Sequence, residues 1–286
     1  MTQPTYTDVR PSPIAGRGWY PGSPNHLAAS VDAMLDDSPP MAIPGRIVAL
    51  VAPHAGHIYS GPIAAKAFRL VQGLEFNRVV VVSPLHRDQY DGPLRLDASV
   101  LTTAHDAYHT PLGDIPVDRE ALDRLGQKVR LTPVRRDGEH SLEIELPFLQ
   151  RVLDAFTLIP LMMRDQSFTM AERMGKALAE LIADDSRTLL VASTDLSHFR
   201  PLAVAERLDG VVLERIEALD AEGVIRVEEE GRGFACGRAA VAVTLVAARE
   251  LGADAAQIVA YGTSADATGD VGQVVGYGAA VIYQTG

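Results

Sequence analysis

The sequence predicts an α/β protein: a three-layer αβα sandwich around a central, mostly parallel sheet, folded as a single domain over residues 1–286. Three observations carry that expectation. Short apolar runs rich in β-branched residues recur at 47–51 (IVALV), 78–83 (RVVVVS), 156–162 and 188–193 (TLLVAS), and such continuous runs mark strands buried on both faces. Helical stretches separate them, the strand–helix alternation that yields parallel pairing. Residues with chemistry follow directly after three of the runs, at the edge where α/β sheets gather their ligands.

Composition narrows the class. Apolar residues make up 47% of 286, enough for a sizeable core. The formal charge of −11 disfavours nucleic acid or an anionic membrane as partner, since phosphate repels such a surface. One cysteine, Cys236, cannot form an internal disulfide. The N-terminus lacks an apolar signal-like region, and the longest uncharged apolar run, 239–248, is far short of the ~18 residues of a spanning helix. A cytoplasmic protein is expected.

In chain order, residues 1–23 read as an arm docked through Trp19 and Tyr20. Residues 25–35 form a helix with Leu27, Val31, Met34 and Leu35 on one side. The 47–51 strand leads through Pro53 and His54 to a helix starting near Gly61 and Pro62, because proline is tolerated in a first turn. The 78–83 strand ends in Pro84-Leu85-His86. Shorter strands and turns fill 90–116, with 98–102 extended, and 118–125 is a short helix. Residues 140–153 are helical, with Ser141 as a cap, Glu143 in a capping role, and a late start or kink imposed by Pro147. The 156–162 strand, an amphipathic helix at 170–182 and the 188–193 strand follow. A long helix spans 204–219. Residues 227–230 show no core stripe and read as a solvated face. A glycine-rich turn, 231–237, holds Cys236. Residues 238–251 are a buried helix, and strands at 257–261 and 274–283 close the chain.

Parallel strands would bring His54, His86, Asp195 and His198 to one rim. His140 and Cys236 each precede a helix, whose positive end would favour a thiolate at Cys236. Imidazole, carboxylate and thiolate all ligate transition metals, and two histidines with one anion suffice for a catalytic Fe(II), Cu or Zn site. The same groups could act as general acids and bases. Any one histidine after a strand is as readily a hydrogen-bonded core group, and a lone cysteine is more often a small buried apolar group. Three strand ends together favour a site. His57 reads as structural, because no helix is expected to align it with His54. His26 reads as solvated, and Glu139 as a residue that orients His140. No G-x-S-x-G elbow, Walker A loop, dinucleotide fingerprint or H-E-x-x-H is present.

Six collinear motifs together resemble the Memo family, called AmmeMemoRadiSam system protein B in bacteria. They are Trp19-Tyr20-Pro21, Ala52-Pro53-His54-Ala55-Gly56, Pro84-x-His86, Glu139-His140-Ser141-Leu142-Glu143, Ser193-Thr194-Asp195-Leu196-Ser197-His198 and Cys236-Gly237-Arg238. The resemblance implies a fold like the class III extradiol dioxygenases, with a cleft at the strand ends. It implies His54, His86 and Cys236 as the metal-binding set, with Asp195, His198 and His140 as pocket residues in acid/base or supporting roles. It also implies iron or copper, with zinc possible, and AMMECR-type and radical SAM proteins as partners. Where ring-cleaving enzymes use a glutamate, this chain places Cys236, and the softer thiolate shifts preference toward copper or zinc. Two functions follow as expectations: a metal-dependent redox protein, or a binding or adaptor module whose pocket takes a small molecule, a peptide or a partner protein. A metal-free hydrolase using His198 and Asp195 is a third.

Overall fold

The computed structural model describes residues 6–86 and 98–286. The expected strands and turns of 90–97 lie outside the described residues. The arm carries β1 (Val9–Arg10), then come α1 (Pro24–Asp36), β2 (Gly45–Ala52), α2 (His57–Phe68) and β3 (Arg78–Pro84). The middle of the chain holds β4 (Val100–Thr103), β5 (Ala107–Thr110), β6 (Gly113–Pro116), α3 (Arg119–Gly126) and β7 (Leu131–Val134). A 3-10 turn at Glu143–Glu145 leads into α4 (Leu146–Val152), followed by β8 (Thr157–Met163), α5 (Phe168–Ile182), β9 (Thr188–Ser193) and β10 (His198–Arg200). The C-terminal part holds α6 (Leu202–Glu217), α7 (Ala221–Glu229), α8 (Arg238–Glu250), β11 (Ala255–Thr263), α9 (Ala265–Thr268) and β12 (Val274–Thr285).

The main sheet runs β10-β12-β2-β9-β3-β8-β4-β7, with β11 on the other side of β12. Its centre, β2-β9-β3-β8, is parallel throughout. The margins are antiparallel where β12 joins β2 and where β4 joins β8, so the sheet as a whole is mixed. Val79 to Val82 and Leu189 to Ala192 are fully buried, as the continuous apolar runs of strands covered on both faces require. Helices α1, α2 and α4 pack as one layer, and α3, α5, α6, α7 and α8 as the other, which gives the three-layer αβα architecture. A small second sheet joins β1 to β5 and β6, tying the arm to the domain.

Several local expectations need correction. Helix α2 begins at His57 rather than near Gly61, because the carbonyl of Trp19 accepts the His57 N–H at 2.8 Å and starts the helix from the arm. Pro62 therefore sits inside the helix, where its missing N–H leaves the Ile58 carbonyl without its usual partner; Ile58 is exposed, so water reaches that end. Ser141 caps no helix: its hydroxyl donates to the Pro84 carbonyl at 3.0 Å. Glu143 does not cap either, being buried and paired with Arg10 at 2.7 Å. The late start imposed by Pro147 holds, with α4 opening one residue before it. Residues 227–229 end α7, whose stripe of Val224, Ile225 and Val227 is buried. The stripe begins upstream of the acidic run, which hides it.

Candidate functional site

β2, β9 and β3 are adjacent and parallel, so their carboxyl ends emerge side by side, roughly 4.8 Å apart between neighbours. His54, Asp195 and His86 each lie two residues beyond their strand. A continuous apolar strand cannot carry these side chains within its length, but the first loop residues can turn them over the rim.

His54 is 1% exposed and held at three points. Its backbone N–H donates to Asp195 Oδ1 at 2.7 Å, its Nδ1 lies 2.8 Å from Ser193 Oγ, and its Nε2 lies 3.2 Å from Cys236 Sγ. His86 is held by Glu139: the His86 backbone N–H donates to Oε2 at 2.5 Å, and Nδ1 lies 3.0 Å from Oε1. With Nδ1 engaged in each ring, Nε2 is left as the ligating edge. The His54 and His86 rings stand nearly perpendicular, with centroids 5.1 Å apart. One donor atom from each of His54, His86 and Cys236 lies within 4.8 Å of the others.

Cys236 reaches this point because Gly237 lets its turn press against the end of β9. A Cβ at position 237 would lie 2.3 Å from the Ser193 carbonyl oxygen and 2.8 Å from Thr194 Cβ. Instead the Gly237 N–H donates to Thr194 Oγ1 at 2.9 Å, and the Asp195 N–H points to Cys236 Sγ at 3.2 Å.

Burial sets the charge states. It is the main cause lowering His54 well below its ordinary range, with the neighbouring His86 and His140 adding to it, so the ring is neutral and able to ligate. Burial, with the Asp195 carboxylate beside it, pushes the Cys236 thiol well up. The expected thiolate at a helix N-terminus is thus overridden by desolvation. Burial would also raise Glu139, but the hydrogen bond from His86 and the charges of His86 and His140 prevail and hold it far below the usual carboxylate range. Burial raises Asp195 to about 7, against the N–H donated by His54.

The remaining expected residues gather around this centre. Asp195 Oδ2 lies 4.0 Å from His54 Nε2. His140 stacks on His86 with centroids 4.8 Å apart, and its Nδ1 lies 3.3 Å from Glu139 Oε1, so one carboxylate serves both rings. His198 sits at the rim beside Phe234, its ring held neutral by burial and by the charge of His86, and its buried Nδ1 has no hydrogen-bond partner among the described residues. His57 is buried against Phe148, away from the ligand edge, with Nε2 3.3 Å from the Ile144 carbonyl.

Four contributors were not assigned these roles from sequence. Glu139 precedes His140 and was read as its orienter, but its grip on His86 crosses 53 residues. Ser193 gave a signal, a polar residue closing an apolar strand. Trp19 packs against His140 with the rings tilted and their centroids 4.2 Å apart, making the arm a wall of the site. Glu145, in a 3-10 turn, is buried behind Ser193.

The donor set suits a transition metal. It supplies two imidazoles and a sulfur, with carboxylate and hydroxyl partners behind the rings. His54, His86 and Cys236 would hold the ion. The other possible donor group, His86, Glu139 and His140, shares His86 with the first, and its carboxylate is already spent on orienting both rings.

A family model described as Memo-like protein matches residues 10–281. A MEMO1 family protein of Methanopyrus kandleri is 33% identical over 292 residues, covering 96% of this chain and 99% of the relative. Those of Nitrosopumilus maritimus and Thermotoga neapolitana are 32% and 33% identical, with 95% and 94% of this chain and 98% of each relative covered. With a family match across nearly its whole length, and relatives above 30% identity end to end, the chain belongs to the Memo-like family.

Proposed function

We propose that the protein holds iron or copper through His54, His86 and Cys236 and works as a metal-dependent redox protein related in fold to the extradiol dioxygenases. The observation that carries this reading is the convergence of two imidazoles and one sulfur from three separate segments, with donor atoms within 4.8 Å of one another and both rings oriented from behind. A bound iron or copper ion would supply one-electron exchange and a positive charge to draw an anionic ligand. The chain's own residues do the rest. Asp195, poised near neutrality, can take or give a proton beside Cys236. Glu139 keeps His86 and His140 aligned, and Trp19 shields one side from water.

The test is metal analysis of protein purified without a histidine tag, before and after anaerobic reconstitution with iron and with copper. Stoichiometric metal in wild type and loss in His54→Ala and Cys236→Ser support the reading. A wild type that stays empty after both reconstitutions overturns it.

A further inference from the structure

Ser193 Oγ has three polar neighbours at contact distance: His54 Nδ1 at 2.8 Å, the Ser141 carbonyl oxygen at 2.7 Å and Glu145 Oε1 at 2.7 Å. A serine hydroxyl has one proton to give and two lone pairs to fill. The Ser141 carbonyl can only accept, so the Ser193 proton is committed to it. The other two neighbours must then donate. His54 can do so from Nδ1. Glu145 can do so only if its carboxyl carries a proton.

The alternative assignments fail on the same count. If Glu145 were ionised, the Ser193 proton would be claimed by two acceptors, and one of them would face a lone pair at 2.7 Å. If His54 Nδ1 were an acceptor, it would compete with the Ser141 carbonyl for one proton, and with Glu145 as well were that carboxyl ionised. The outcome does not depend on the charge of His54, since a protonated ring also donates from Nδ1.

The surroundings agree. Glu145 is fully buried, and among the described residues no cation pairs with it. Among the described residues its Oε2 has no hydrogen-bond partner, which is tolerable for the carbonyl oxygen of an acid and costly for a shared negative charge. Burial, with the Asp195 charge adding, pushes its pKa in the direction this requires. Its acidic neighbour in the 3-10 turn, Glu143, has Arg10 and the Tyr20 hydroxyl as partners, so the two carboxyls were given different fates.

We propose that Glu145 is a neutral carboxylic acid that donates to Ser193 and, through it, fixes His54 with its proton on Nδ1 and its lone pair on Nε2, facing Cys236. Glu145 is thus a positioning residue two hydrogen bonds removed from the ligand edge. The importance of that tautomer rests on the metal reading, but the protonation of Glu145 does not, so the experiment uses metal-free protein.

At neutral pH, infrared difference spectra between wild type and Glu145→Gln, with glutamate carboxyls isotope-labelled, should show the loss of one protonated-carboxyl band and no loss of a carboxylate band. The amide N–H of Glu145→Gln can donate where the acid did, so that variant should keep the wild-type Tm and the wild-type ¹⁵N shifts of His54, with Nδ1 protonated. Glu145→Leu should lower the Tm and shift the His54 nitrogens toward a mixture of tautomers. Loss of a carboxylate band in Glu145→Gln, or a Glu145→Gln variant as perturbed as Glu145→Leu, overturns the proposal. If Glu145→Leu does not fold, the infrared result and the behaviour of Glu145→Gln still decide. An empty metal site would overturn the metal reading while leaving these results to stand by themselves.

Discussion

Cys236 Sγ lies 3.2 Å from His54 Nε2 although 182 residues separate them in the chain. Neither residue moves freely to make that contact. His54 is fixed by Asp195 and Ser193, and Cys236 by a turn that fits only because position 237 has no side chain.

Gly237→Ala should therefore damage both fold and site. The added methyl meets the Ser193 carbonyl oxygen and Thr194 Cβ, neither of which can rotate away, so a cost of about 1–3 kcal/mol is expected in urea denaturation. Metal uptake should fall further than that loss of stability explains, because Cys236 is pushed off the end of β9.

Glu139→Gln should separate metal affinity from folding. The amide keeps the shape but removes the charge that orients His86 and His140. Zinc affinity, measured by competition with a chelator, should fall roughly 10–100-fold, the usual effect of removing a carboxylate behind a ligating histidine. The Tm should change little by comparison.

Arg10→Met should cost about 3–5 kcal/mol in chemical denaturation at pH 7, because Asp137 and Glu143 are left buried without their counter-charge. Arg10 also donates to the Glu139 carbonyl at 2.9 Å, so the variant should loosen the loop that carries Glu139 and His140. Raised hydrogen exchange across 137–142 checks that second effect.

His57 gives the fold an acid-sensitive component. Burial lowers its pKa from 6.5 to about 4. Above pH 6.5 the ring is neutral in folded and unfolded chains alike, and the pairing with the Ile144 carbonyl contributes without penalty. As pH falls from about 6.5 to about 4, the unfolded chain takes up a proton that the folded chain refuses, so stability drops, by about 3 kcal/mol at the end of that window. Below pH 4 the contribution is flat. His57→Phe keeps the contact with Phe148 and should remove this share of the pH dependence, measured as the difference between the two proteins' urea stability from pH 8 to pH 4.

The central strands were legible because continuous β-branched runs such as RVVVVS and TLLVAS, alternating with helices, favour doubly covered parallel strands, and the residues after them inherited a shared rim. The antiparallel margins were not, since β12 borders β2 through a pairing that its own sequence does not encode. Within the site, the histidines showed themselves by position, whereas Glu139 and Ser193 act across 53 and 139 residues on groups no local pattern links to them. The helix dipole at Cys236 was a sound local expectation that burial outweighed, and burial is a property of the assembled fold. The α2 start failed for a similar reason: the partner for its first N–H is Trp19, from an arm whose path only the tertiary structure fixes.

The most direct test of the metal centre is X-ray absorption at the metal edge on iron- and copper-reconstituted protein, with Cys236→Ser alongside. The account predicts one sulfur and at least two imidazole nitrogens around the ion in wild type, and loss of the sulfur shell alone in Cys236→Ser. A wild-type spectrum with no sulfur scatterer, or one unchanged by Cys236→Ser, would contradict it.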